Sequence, residues 1–462
     1  MGDNRLDRRD FLRLAAASAA TVAGAGWACG SGSDKPEASA ATKNQPGRSN
    51  TATKELRVAT WSHYVPAYDT WLDDEFAKRW GEKHDVNVVV DHLPISELTI
   101  RADSEAAAKR GHDLFWFINP RAGLEDDVID HRTIVEEVTG KLGRMVPHVE
   151  RSVLNPKTGA YFAFPSEWYA GVALYRVDLW DQVQPGLRPT TWDDVRRAGP
   201  ALKAQGHPLG IGISTDLDSN WTLNSLMRSY GSAIQDENSN LTINSPATIE
   251  AVKVCAEIYR TGMTDEVFAW DASSNNRLLT SGRGSLIINA VSALRAAEQQ
   301  DAALASKIAL APLPIGASGD RPRCTYAVGS FVIWKFSPNI ELAEQFLVDL
   351  ALSHRDAFLQ SGFQNMPPCL GAVPDLGELV SKDPVANSQG KYAVLKDADR
   401  WTANVGSPGF FNAAVDEIFN EFVLTKMFSA AARGEKSPAE AVAAAEAEMK
   451  PIFAKWRERG KI

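Results

Sequence analysis

The chain has 462 residues, of which 44% are hydrophobic and 23% charged. That balance belongs to a soluble globular protein and excludes a disordered chain, a collagen and a polytopic membrane protein. Acids outnumber Lys and Arg by 58 to 49, for a net charge of -9, which argues against a nucleic-acid binder with its basic footprint. The length predicts two domains, and among 13 tryptophans some are expected in a cleft rather than in a core.

Residues 1–29 read as an export signal. Asp7-Arg8-Arg9-Asp10-Phe11-Leu12-Arg13 resembles the twin-arginine signal, and the Ala/Gly-rich run Leu14 to Ala28 is too short and too mildly apolar for a membrane span. Two fates stay open at this point. Gly26-Trp27-Ala28-Cys29-Gly30 resembles a lipobox, in which Cys29 is lipidated, although Gly26 and Trp27 depart from the usual pattern; the other fate is cleavage after Ala23-Gly24-Ala25. Residues 30–54, polar and without an apolar period, predict a flexible linker. Such a tether suits a lipidated cysteine.

From Leu56 the pattern changes to alternating strands and helices. Leu56–Trp61 reads as a strand, and Tyr68, Trp71, Leu72, Phe76 and Trp80 then recur at helical spacing. Val86–Val90 is a second strand, 96–109 a second helix, and Asp113–Ile118 a strand apolar on both faces. This order predicts a parallel sheet. Further strands are expected at 161–164, 172–175, 209–213, 285–289, 308–311 and 328–334. Thr191, Ser245 and Ser437 mark helix starts; the last opens a long helix with Val442, Ala445, Met449, Ile452 and Phe453 on one stripe. Of the body cysteines, Cys255 reads as a buried thiol, while Cys324 and Cys369 are candidates for a disulfide.

Several segments now resemble, in fixed order, the extracellular solute-binding proteins of ABC importers, in the carbohydrate-binding group like maltose-binding protein. They are Gly159–Pro165 with Gly171–Trp180, Pro189–Val195, Gly282–Ala290, Ala311–Pro314, Gly329–Ile333, Ser337–Asn339 and Ser437–Ala441. The resemblance covers Leu56 to about Ala454. It implies an α/β fold of two lobes, periplasmic-binding-protein-like and of type II, with the ligand cleft between them. Lobe one would comprise 55–165 and 312–365, and lobe two 166–311 and 366–462. It further implies capture of a sugar and delivery to ABC permease subunits, in the periplasm or at the outer face of the cytoplasmic membrane.

A sugar stacks its C–H faces on aromatic rings and pairs its hydroxyls with carboxylates and amides, and open α/β sheets bind at the carboxyl ends of their strands. Trp61, His63 and Tyr64 follow the first strand, and Asn119 follows the third. Glu167 and Trp168 lie just past the first crossing. Asp218-Ser219-Asn220-Trp221 opens a helix, with Asp218 or Ser219 expected as its N-cap and Trp221 as a platform. Asn289 ends a strand, Gly329 and Ser330 offer close backbone approach with a hydroxyl, and Trp401 lies in a Pro/Gly-flanked stretch. The chain has no Gly-x-Ser-x-Gly, His-Glu-x-x-His or phosphate-binding loop. No catalytic residue, metal or cofactor is therefore assigned. The alternatives are the same fold around a polyamine or another small solute, and a secreted glycoside-processing enzyme, which needs only a pair of carboxylates.

Overall fold

Strand β1 (Lys54–Trp61) buries Leu56, Val58, Ala59 and Trp61 and leaves Lys54, Glu55 and Arg57 outside. In the computed structural model, residues 54–317, 319, 324–386, 388 and 390–462 are described; the leader with Cys29 and linker residues 30–53 lie outside them, and Lys54, expected as the linker's last residue, already belongs to β1. The chain leaves β1 through a helical run, Pro66–Thr70, Trp71–Ala77 and Lys78–His84, whose buried side chains include Tyr68, Trp71, Leu72, Phe76 and Trp80. It returns as β2 (Val86–Leu93), parallel to β1. Helix Leu98–Ala108 then leads to β3 (Leu114–Phe117), parallel to β1 on its other side.

Two later strands complete this sheet: β4 (Phe164–Trp168) and β10 (Val328–Ile333), in the order β2-β1-β3-β10-β4. Strand β10 is antiparallel to both neighbours. The strand expected at 161–164 is displaced to Phe164–Trp168, and Tyr161 makes only an isolated bridge to Leu154. The physical reason is position: β4 is an edge strand, where a proline such as Pro165 is tolerated because one side of the ladder needs no donor.

The second sheet has the order β6-β7-β5-β8, from β5 (Val172–Arg176), β6 (Leu209–Gly210), β7 (Leu286–Asn289) and β8 (Ile308–Pro312). Strand β6 is shorter than the expected 209–213, because Ile213 N–H donates to the Val267 carbonyl instead of the ladder. A parallel pair, β9 (Cys324–Thr325) and β11 (Thr402–Ala403), forms a third, small sheet.

Helices cover the sheets with apolar faces. Pro246–Gly262 packs against Trp192–Ala204, Val423–Ala432 and the long Pro438–Glu458. The predicted caps hold: Thr191 and Ser437 each close a capping box, and Ser245 accepts from Thr248 N–H. Cys255, Cys324 and Cys369 are all buried, and the expected disulfide between Cys324 and Cys369 is not formed. Among the described residues no helix is long and apolar enough to cross a membrane.

Candidate functional site

Strand directions bring two edges together. The carboxyl ends of β1, β3 and β4 share one edge of the first sheet. In the second sheet the carboxyl ends of β7 and β8 flank the start of β5, where Val172 pairs with both Asn289 and Pro312. Only Tyr169-Ala170-Gly171 separates β4 from β5, so the two edges meet at this short connection. Tyr169 N–H donates to the Ala327 carbonyl, which ties the connection to the segment between β9 and β10.

On the first edge, Trp61 stacks on Trp116 with centroids 5.3 Å apart and planes 5° from parallel. It also meets Tyr64 edge-on at 5.3 Å and Tyr169 at 6.4 Å. Glu167 lies beneath these rings. Its Oε1 accepts from Trp116 Nε1 at 2.9 Å and from Tyr169 OH at 3.0 Å. A β-carbon at Gly329 would overlap that oxygen, so the glycine leaves the carboxylate its room. Burial pushes the Glu167 carboxyl above its ordinary range.

On the second edge Asp218 gathers neutral groups. Asn275 Nδ2 donates to its Oδ2 at 2.9 Å, Asn289 Nδ2 lies 3.2 Å from the same oxygen, and Tyr326 OH donates to Oδ1 at 3.1 Å. Asn289 also lies 2.6 Å from Asn276 Oδ1. Burial first, then the neighbouring Asp216, pushes the Asp218 carboxyl up to about 7. The expected capping role of Asp218 or Ser219 is corrected here. Asp216 is the N-cap of Leu217–Ser229, accepting from Ser219 N–H at 3.2 Å, which frees Asp218 to face the cluster.

One turn further, Trp221 rests on Tyr326 at 5.0 Å and Phe419 at 5.7 Å, and its buried Nε1 has no partner. Gly171 makes this packing work, since a β-carbon there would come within 2.8 Å of the Tyr326 ring. Tyr64 links the two edges electrostatically: its hydroxyl is pushed up to about 12 by burial and then by Asp218 and Asp271. It is also 37% exposed, which leaves part of its ring open to a solute.

The other sequence candidates divide. Ser330 is buried with its hydroxyl unpartnered, and Asn119 is buried with an unpartnered Nδ2. His63 has both ring nitrogens engaged: Nδ1 accepts from Val65 N–H at 2.9 Å and Nε2 lies 3.0 Å from Asn365 Oδ1. Burial lowers its pKa to about 4, so it is neutral near pH 7. Trp168 is not brought to the Glu167 cluster. Alternation along β4 turns it to the opposite face, where Nε1 donates to the Pro367 carbonyl at 2.8 Å and the ring meets His148. Trp401 lies beside the small sheet, its carbonyl accepting from Cys324 N–H.

Sequence reasoning passed over Trp116, Asn275, Asn276 and Tyr326. Trp116 sits in a strand buried on both faces, so no polar alternation singles it out. The Asn275-Asn276 pair beside a helix start was the available signal. Among the described residues no group of His, Cys, Asp and Glu could hold a metal ion.

The profile of the bacterial extracellular solute-binding protein family matches residues 65–357, more than half of the chain. The fold is similar to that of maltose-bound MalE3 of T. maritima, with a TM-score of 0.71 and 19% identity over 86% of this chain and 99% of that one. It is also similar to an ABC transporter solute-binding protein of Thermotoga lettingae TMO bound with alpha-D-tagatose, with a TM-score of 0.70 and 16% identity over 87% and 100% of the two chains. At these identities the likeness is one of fold. A Deinococcus radiodurans protein described as "Probable ABC transporter-binding protein" is 23% identical over 194 residues, 40% of this chain and 46% of that protein. That match spans about half the length of the relative. The two sheets are thus those of the mixed α/β periplasmic-binding-protein fold. The chain belongs to the bacterial extracellular solute-binding proteins, a family of binding proteins and not of enzymes.

Proposed function

We propose that the protein captures a sugar or polyol between the facing edges of its two sheets and delivers it to an ABC permease. The observation that carries this reading is the paired site itself. Trp61, Tyr64, Trp116 and Glu167 stand on one edge, with Asp218, Trp221, Asn289 and Tyr326 on the other. Rings supply faces for C–H surfaces, and the acids and amides supply partners for hydroxyls. The maltose and tagatose named for the two similar structures belong to the same ligand class.

Each sheet forms the base of one lobe, with the chain crossing at 169–171 and again between β8 and β10. A solute touching both edges stabilises the closed arrangement, and a permease reads the closed pair of lobes. Gly329, against the Glu167 carboxylate, with Ser330 and Asn119, whose buried polar atoms are unpartnered, completes the proposed lining. The twin-arginine leader supports export, and Cys29 with its polar linker supports a lipid anchor at the outer face of the cytoplasmic membrane.

The test is a tryptophan-fluorescence titration with mono- and oligosaccharides, repeated on Tyr64→Ala and Trp168→Phe. A saccharide should change the emission. Tyr64→Ala should weaken its binding by about ten-fold, the equivalent of one good ring contact. Trp168→Phe, on the other face of β4, should bind as the parent does. Equal loss in both variants would move the site to the far side of β4.

A further inference from the structure

The carboxylates of Glu167, buried, and Asp218, half-buried, share an unusual surrounding. Every hydrogen-bond partner of Glu167 and Asp218 given above is neutral: an indole, two phenols and two carboxamides. Among the described residues no Lys, Arg or His forms an ion pair with either acid. The charged group acting on Asp218 is a further acid, Asp216, and Tyr64 feels Asp218, Asp271 and Asp216 together with Arg277, which is paired with Asp271 at 3.0 Å. The imidazole beside Trp61, on His63, is neutral. Among the described residues, the two acids therefore stand beside the aromatic rings without a cationic partner.

A neutral solute closing over these acids would strip their remaining water and return no opposite charge, which disfavours the ionised form further. A cation reverses both effects. It pairs with the carboxylates, and it is attracted to the negative faces of Trp and Tyr rings. The buried, unpartnered Nε1 of Trp221, beside Tyr326, marks a polar position on the same side that a ligand acceptor can satisfy. The ligand thus needs a positive group together with hydroxyl-type acceptors.

We infer that the captured solute bears a protonated amine, held by Glu167 and Asp218 within the ring of Trp61, Tyr64 and Tyr326; an amino sugar meets both requirements. This rests on the proposed solute-capture reading and narrows its substrate class.

The test is calorimetric titration of the full chain at about pH 6.5, because the oxygens beside an amino sugar's amine lower its pKa to or below the α-amino range of about 7.7–8. The probes are the β-1,4 disaccharide of glucosamine, its N-acetylated form, cellobiose, putrescine and spermidine. The amino disaccharide should bind at least about ten-fold more tightly than cellobiose and than its own acetylated form, which keeps the shape and loses the charge. In Asp218→Asn or Glu167→Gln that preference should shrink. If a variant does not fold, the acetylation contrast on the parent chain decides alone. Equal or tighter binding of the neutral sugars overturns the inference and leaves sugar capture standing. Binding of spermidine or putrescine alone keeps the inference and overturns the sugar reading. Absence of binding by any amine overturns the inference.

Discussion

Asp218 shows how a single carboxyl records its surroundings. Its ordinary pKa of 3.8 rises to about 7 in the fold, because burial and Asp216 both oppose its charge. The folded protein therefore holds this proton more tightly than the unfolded chain does. Between about pH 4 and 7 the folded state binds more protons at this position, so its contribution to stability falls as pH rises through that window. Asp218→Asn removes the penalty. In denaturant unfolding without solute, the variant should match the parent near pH 4 and exceed it at pH 8 by on the order of 1–3 kcal/mol. Parallel stability curves for the two proteins across this range would show that Asp218 is not the buried acid described. His63 teaches the converse. Beside a strand end it reads as a ligand contact, yet Val65 and Asn365 already occupy its two nitrogens, and only the fold brings Asn365 within reach.

Elements were legible where local chemistry is decisive. Thr191 Oγ1 accepts from Asp194 N–H at 3.0 Å while Asp194 accepts from Thr191 N–H at 3.0 Å, a reciprocal closure that three residues of sequence announce. Thr191→Ala should cost about 1 kcal/mol of stability and leave solute affinity unchanged, since helix Trp192–Ala204 packs against Pro246–Gly262 and not against the candidate site. Chemical denaturation and calorimetry separate the two effects; a drop in affinity would place this helix nearer the solute than the packing shows. Strand β4 was harder to place. Its proline argues against a strand, and only its position at a sheet edge removes the objection. Helix Leu217–Ser229 carries the same lesson, because a cap at Asp216 rather than Asp218 changes which side chain is free.

At the scale of the whole molecule, the end of the chain ties back to the first sheet. Asp416, on helix Ala413–Asn420, accepts from Gly123 N–H at 2.8 Å and lies 3.4 Å from Arg121 Nε. Lys461 Nζ reaches Glu125 at 3.1 Å and Asp126 at 2.7 Å. Arg121 stands two residues past Asn119, so these contacts brace the loop after β3 from the side of the second sheet. Asp416 itself is buried and its carboxyl raised by burial, with Arg121 opposing that rise. Arg121→Ala should therefore favour an open arrangement. The expected outcome is a larger radius of gyration without solute in X-ray scattering and an affinity reduced by about five- to ten-fold, the low end of such coupling. An unchanged radius and affinity would make the contact a local brace with no part in opening.

The sequence by itself determined the element order, the parallel start of the first sheet, the helix caps at Thr191, Ser245 and Ser437 and the family, because periodicity, capping chemistry and ordered motifs act over short stretches. It also singled out Trp61, Tyr64, Glu167, Trp221 and Asn289, all at strand or helix ends where polarity changes. The tertiary structure alone decided which of these share an edge. It turned Trp168 away from Glu167, released Asp218 from capping, left Cys324 and Cys369 as separate thiols, and brought Tyr326 onto Asp218 across 108 residues. The reason is physical: local propensities are set by neighbours in the chain, whereas burial, charge balance and ring contacts depend on partners that only the crossing strands bring together.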